Sequence, residues 1–309
     1  MSGAPDLGCA VFDDVTLLPC RPDRGSRTGY SFGAVDRNGI AISAFDHPWC
    51  IHRRPDAAAP RVAGRFIYGG MLMDHFGHFL LEAMARLWFI RAHPELPVLW
   101  HEIALPVPHS AWGGWLDHVW RLLGLDRHRH HVIRAPIRCE MTMVPRPGFT
   151  SSGLHPLQAA ALAVVREADR GAADRVWLSR DALPGQFGRL LGETALEARL
   201  AERGWKIVHP EAAGATAIAR LFAGAATVAG FAGSAFHAVL LAEAPRARLR
   251  LLRRPSVATL HYDLVAAARG LDLAHIEIGL RAIGPLNAWT TFQILDIDAA
   301  AEAVLAAAA

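Results

Sequence analysis

Lysine is nearly absent from this chain: of 32 basic residues, Lys206 is the single one that is not arginine. A Schiff-base mechanism would have to rest on that one amine, and no GxxxxGK[ST] phosphate loop occurs anywhere. Cysteine is sparse too. Cys9, Cys20, Cys50 and Cys139 lie far apart with no CxxC pair, which excludes a zinc ribbon or dithiol motif and fits a reducing compartment. Excess charge is small, +3, and the arginines are scattered rather than striped, so nothing marks a nucleic-acid surface. No uncharged apolar run reaches the roughly 18 residues of a membrane span, and no basic-then-apolar leader opens the sequence. The expectation is a cytoplasmic protein, with peripheral association at the inner face of the membrane left open. What the chain does have is apolar mass. At 309 residues, 52% hydrophobic and 20% charged, it can bury a substantial core as two ordinary domains or one large one.

Residues 10–19, 39–45 and 64–70 read as strands bounded by Pro, Asp, Asn and Gly. A helix over 74–93 follows, with Asp74 as N-cap and Pro94 just past its end. Residues 98–101 and 139–145 read as strands and 112–123 as a helix closed by Gly124, while the His/Arg run 127–131 reads as a solvated loop. The stretch 145–156 is the richest in turn formers and marks a domain boundary. Beyond it, short apolar strands at 176–179, 205–209, 226–230 and 248–252 alternate with helices over 157–170, 192–203, 215–223 and 234–243. That alternation predicts an α/β fold with a parallel, doubly wound sheet. The expected domains are 1–155 and 156–285, with 286–309 a strand and alanine-rich helix free to pack back on the first.

Three constellations carry candidate chemistry. His78, Glu82 and Arg86 are spaced to share one face of the 74–93 helix, opposite Phe76, Phe79, Leu80, Ala83, Leu87 and Trp88. Glu82, desolvated beside apolar neighbours, would have the raised pKa of a general base, with His78 sharing or orienting its proton. A carboxylate satisfied by Arg86 or His78 for structure alone fits the same pattern. A metal-dependent hydrolase using His75, His78 and Glu82 is a third reading, although HisXXXGlu supplies two ligands at most. The second constellation is the turn GlyPheAlaGlySerAlaPheHis at 230–237. Gly233 can take angles closed to other residues, and Ser234 can cap a helix whose first amides meet an anion. An ordinary capped helix packed through its glycines fits equally. The third is Arg180 at the end of a strand with Arg189 nine residues on, forks suited to diphosphate oxygens. Glu193 could orient Arg189 by an i,i+4 pair, and a solvated loop is the alternative.

In chain order, GlyHisPheLeuLeuGluAlaMetAlaArgLeuTrp (77–88), SerArg (179–180), Arg189, Glu193, HisProGlu (209–211), LeuPheAlaGlyAlaAlaThrValAlaGly (221–230) and GlySerAlaPheHis (233–237) resemble glycosyltransferase family 61 over about residues 70–253. The resemblance implies a GT-B-like fold, two Rossmann-like domains facing across a cleft with the donor in the C-terminal one. It implies an inverting, metal-independent transfer of sugar from a nucleotide-sugar donor to a saccharide or glycan acceptor, with no other cofactor, in bacterial capsule or exopolysaccharide biosynthesis. Under it Glu82 is the base assisted by His78. Arg180, Arg189, Glu193, Gly233, Ser234 and His237 face the donor, with Glu211 toward its ribose. Three departures stand out: Gly192 where AsnGlu is common, Ile218 in place of a glutamine, and PheAlaGlySer in place of a HisGlyAlaGly-like turn. They motivate an alternative, a non-catalytic nucleotide-sugar or saccharide-binding partner in an assembly complex.

Overall fold

A computed structural model describes residues 6–23, 30–46, 59–103, 114–166, 174–255, 257–287 and 289–308. The chain divides into two compact units, 1–162 and 163–309.

The first unit is built on a six-stranded sheet in the order β2-β1-β6-β3-β4-β5. Its strands are β1 (Cys9–Pro22), β2 (Tyr30–Val35), β3 (Arg61–Met73), β4 (Val98–Ile103), β5 (His130–Val132) and β6 (Ile137–Pro145). β1 runs antiparallel to both β2 and β6, whereas β6, β3, β4 and β5 are mutually parallel. The chain passes from β3 through α1 (Phe76–Leu81) and α2 (Leu87–Ile90) to β4, and through α3 (Gly114–Leu122) to β5. β6 then returns to the other side of β3. The direction of strand progression therefore reverses between β3 and β6, and in open α/β sheets ligands bind outside the carboxyl ends of the strands at such a point. Val15, Leu17, Ala34, Phe45, Phe66, Tyr68 and Leu99 pack together against the sheet.

Two local readings are corrected here. Residues 39–45 form no strand: Asp36 Oδ1 accepts the amides of Asn38 and Ile40, turning the chain back, and only an Ala41–Val35 bridge and a 3-10 turn at Ser43–Phe45 follow. The 127–131 run is not a free loop but a 3-10 turn leading into the edge strand β5. Its His130 Nδ1 accepts from the Trp100 indole at 2.9 Å, and burial lowers its pKa to about 4, keeping it a neutral acceptor.

The turn-rich run 145–156 sits inside the first unit as a short hairpin, β7 (Phe149–Thr150) with β8 (Gly153–Leu154), leading to α4 (Pro156–Leu162). α4 stops there rather than continuing to 170. Val165 instead bridges Ala242, and 167–173 lie outside the described residues.

The second unit carries a five-stranded, wholly parallel sheet in the order β11-β9-β12-β13-β14, as the alternating pattern requires. Here β9 is Arg175–Leu178, β10 Leu190–Leu191, β11 Lys206–Val208, β12 Thr227–Phe231, β13 Arg248–Leu252 and β14 Leu273–Ile276. The strand order is 2-1-3-4-5 in chain terms, with its reversal between β9 and β12. The helices are α5 (Glu193–Glu202), α6 (Pro210–Ala213), α7 (Ala215–Gly224) and α8 (Leu260–Arg269), with a 3-10 segment at Ser234–Leu241 in place of the expected α-helix. β15 (Leu280–Ile283), β16 (Thr291–Ile294) and α9 (Ile297–Ala308) complete the unit. The segment 286–309 builds into the second unit. β16 pairs with β10 and β15, and α9 lies on α5, sharing one core with Leu196, Leu200, Phe231 and Leu252. Arg199–Asp298 and Arg203–Glu302 ion pairs border that helix contact, and Arg250 ties the end of α9 down through the Ala307 carbonyl.

Candidate active site

The polar stripe of the first unit follows the carboxyl end of β3, at the reversal point of the sheet. The expected continuous helix is broken. Its N-cap is His75, not Asp74, with the His75 ring accepting from the His78 amide. α1 ends at Leu81, a 3-10 turn runs Ala83–Arg86, and α2 resumes at Leu87. His78 and Glu82 keep their i,i+4 relation, with His78 Nδ1 2.6 Å from Glu82 Oε1. Glu82 stays 30% exposed and His78 39%, so the pair opens to solvent rather than sitting in the apolar enclosure expected of it.

Arg86 does not join them, because the break turns it inward. Its Nε donates to the Pro145 carbonyl at 2.8 Å and its guanidinium lies over the Tyr68 ring. Burial there pulls its pKa down. Gly70 makes room: it has φ +110°, and a Cβ at that position would lie 2.6 Å from Arg86 Nη1.

The cause of the break is seventy residues further along. In an unbroken helix the Trp88 amide would donate to the Met84 carbonyl. Instead the fully buried Gln158 side chain stands between them, Oε1 accepting from Trp88 N at 3.1 Å and Nε2 donating to Met84 O at 2.7 Å. The Gly148 amide takes the Ala85 carbonyl at 2.6 Å. A side-chain amide inserted into the ladder is a recognised origin of helix kinks, and here partners are supplied to the Trp88 amide and to the Met84 and Ala85 carbonyls.

In the second unit, β9, β11, β12 and β13 deliver a cluster to their carboxyl edge. Arg180 follows β9, and its guanidinium packs so closely on Gly233, after β12, that a Cβ there would lie 2.7 Å from Arg180 Nη1. Gly233 has φ −169°, ordinary extended backbone, so a side chain there would have to displace the Arg180 guanidinium rather than strain the turn. Gly233, not Ser234, is the N-cap residue, and no side chain caps the segment. The Ser234 and Ala235 amides open the first turn of the segment, where a backbone N–H has no intrahelical acceptor.

Arg254, just past β13, is 4% exposed and donates to the Ala232 carbonyl. Burial and the neighbouring Arg180 charge lower its pKa to about 10, so both guanidiniums remain charged at neutral pH. Arg180 is pulled down by burial against the opposing pull of Glu193, Tyr262 and Glu211, and its Nε is buried without a hydrogen-bond partner. Glu193 is fully buried. Its Oε1 accepts from the Arg180 backbone amide at 3.1 Å, and burial pushes its pKa up to about 8. That burial disfavours the carboxylate charge beside the two guanidiniums. Such a site favours an anion with several oxygens.

The other donor-side residues divide. His237 is buried and stacks on Tyr262, centroids 4.8 Å apart. Glu211, after β11, lies 3.7 Å from His209 and within the field of Arg180. Arg189 is not gathered in. It is exposed, and it forms no i,i+4 pair with Glu193, because β10 and Gly192 at φ +96° separate the two. Gly192 also explains one departure, since a Cβ there would meet Ile297 Cδ1 at 2.9 Å. Ile218 is a core residue of α7. Sequence reasoning missed Arg254 and Tyr262. The signal for Arg254 was its place directly after a strand, the same position that singled out Arg180.

A family model described as Glycosyltransferase 61 matches residues 76–248, more than half of the chain. The chain belongs to glycosyltransferase family 61. This glycosyltransferase therefore acts on a sugar donor and an acceptor. The match opens at α1 with the His78–Glu82 pair and runs through Arg180, Glu193 and the Gly233 turn. No curated protein matches the chain. Among the described residues no helix is long and apolar enough to cross a membrane, and no group of three His, Cys, Asp or Glu could share a metal ion.

Proposed function

We propose that the protein is an inverting glycosyltransferase that moves a sugar from a nucleotide-sugar donor to a saccharide acceptor in bacterial surface polysaccharide biosynthesis. The observation that carries this reading is the pair of guanidiniums, the buried Arg254 and the half-buried Arg180, at the strand reversal of the second unit. Inverting transfer needs a base for the acceptor hydroxyl and positive charge for the departing diphosphate. Glu82 takes the acceptor proton, and the His78 ring bonded to its Oε1 orients it. Arg180, Arg254 and the Ser234 and Ala235 amides hold the diphosphate, supplying without a metal the charge that a divalent ion gives elsewhere. Glu211 faces the ribose, and Arg189 reaches the donor only from the solvent side. A GT-B arrangement, with the two units facing across a cleft, would bring base and leaving group to one sugar.

The test is thermal stability against a panel of nucleoside diphosphates and nucleotide sugars, with and without chelator. A ligand that binds only the native state raises the melting temperature. The reading expects a selective, chelator-insensitive rise for one nucleotide, and no rise for any of them would overturn it.

A further inference from the structure

We propose that Trp289, set against Phe187, is the stacking platform for the nucleobase of the nucleoside diphosphate whose phosphates meet Arg180 and Arg254. This rests on the donor reading above. Arg180 Nη2 donates to the Phe187 carbonyl at 3.1 Å, so the 185–188 turn is tied to the cationic edge of the sheet. The Phe187 ring meets the Trp289 ring edge-on, centroids 5.8 Å apart at 64°. One hydrogen bond and one ring contact thus lead from the proposed phosphate position to an indole that is 47% exposed.

The turn that carries this indole is held by its own hydrogen bonds. Thr290 Oγ1, in a buried residue, donates to the Pro285 carbonyl and accepts from the Asn287 amide, while the Trp289 amide donates to Asn287 Oδ1 at 2.8 Å. The two turns are pressed together at Gly188, where a Cβ would lie 2.7 Å from the Thr290 carbonyl oxygen. A large apolar ring held half in water by an ordered backbone has no packing role that explains its exposure. Pre-ordering an aromatic surface removes the entropy cost that a mobile side chain would bring to binding. Next to the Arg180 and Arg254 guanidiniums, the ligand it suits is a planar ring joined to an anion. A base stacks on any indole through its π-face, so the platform favours nucleotides over bare phosphates without choosing the base. Trp289 lies beyond the matched residues 76–248, and Phe187 lies within them.

Calorimetric titration of the full chain with UDP, GDP, ADP and inorganic pyrophosphate tests the assignment, using wild type, Trp289→Ala and Trp289→Phe. The expected result is a loss of affinity of about fivefold to 150-fold for the bound nucleotide in Trp289→Ala, by the usual worth of about 1–3 kcal/mol for a base on an aromatic ring. Pyrophosphate affinity should not change, and Trp289→Phe should recover most of the loss. Unaltered nucleotide affinity in Trp289→Ala would overturn the platform while leaving the donor site standing. An equal loss for pyrophosphate would reduce Trp289 to a structural support, and a raised acceptor KM with unchanged nucleotide affinity would move it to the acceptor. A wild-type protein that binds none of the nucleotides would overturn the donor reading and the platform with it.

Discussion

Replacing Gln158 separates packing volume from hydrogen bonding at the helix break. Leucine nearly fills the space of the amide but can neither accept from Trp88 N nor donate to Met84 O. The Met84 carbonyl keeps the Leu87 amide as a partner, so its loss is one neutral bond, about 1 kcal/mol. Trp88 N–H loses its acceptor while the leucine side chain blocks its return to Met84 O, at a cost of about 1–3 kcal/mol. Gln158→Leu should therefore destabilise the first unit by about 2–4 kcal/mol. Alanine removes more volume but also removes the wedge, so Trp88 N can bond Met84 O and the helix can close. Gln158→Ala is expected to cost less than Gln158→Leu, the reverse of the order that cavity volume alone gives. Urea unfolding measures the global effect, and hydrogen exchange of residues 84–90 measures the local one, with Trp88 protected in the alanine variant and exposed in the leucine variant. A leucine variant within about 0.5 kcal/mol of wild type, or an alanine variant the worse of the two, would refute the reasoning.

Glu82→Gln should abolish sugar transfer while leaving nucleotide affinity nearly unchanged, and retained turnover would remove Glu82 from the role of base. Arg254→Met should raise the melting temperature of the ligand-free protein, because it relieves like-charge crowding with Arg180, and should cancel most of the rise that pyrophosphate gives. A variant that still responds to pyrophosphate as wild type does would take Arg254 out of the anion site. Glu193 has its carboxyl pushed up from 4.5 to about 8, so the folded state holds a proton that the unfolded chain releases between those values. Its contribution to stability is fully present below about pH 4.5 and is lost as pH rises through 8, with a slope of at most about 1.4 kcal/mol per pH unit. Glu193→Gln should flatten that decline in urea melts from pH 5 to 9, and an unchanged pH profile would contradict the assignment. Gly69→Ala should destabilise by about 1–3 kcal/mol, because a Cβ there lies 2.5 Å from the ring of the buried Trp100; an unchanged urea midpoint would be the contrary result.

The second unit was largely legible because its elements are local. Each of the four expected strands is a short apolar run, and the order of the runs defines the parallel sheet. Arg180 and Gly233 could be found for the same reason, since the carboxyl end of a strand can be read without knowing its neighbours. What escaped was set by distant residues. The apolar pattern over 76–90 is continuous, and nothing in it announces a break imposed by Gln158. Arg254 and Tyr262 join the anion edge only because β13 and α8 carry them there. The Arg189–Glu193 spacing misled because it presumes one helix, and a left-handed glycine between them excludes it. Residues 30–35 gave too short a pattern to be recognised as a strand, and they are ordered by pairing with β1.

The position of β6 bears on how this protein is made in a cell. β1 pairs with β6 from Cys9 opposite Pro145 to Leu17 opposite Ile137, and the other edge of β6 takes β3. Until residue 145 leaves the ribosome, the sheet exists as two halves, the β1–β2 hairpin and the β3–β4–β5 layer, each with an unpaired edge. At ordinary rates of translation that interval is on the order of ten seconds. Open strand edges are templates for pairing with other chains, so soluble yield should depend on elongation speed, temperature and chaperone supply far more than the stability of the finished fold would suggest. A chain cut before Ile137 would retain both edges permanently.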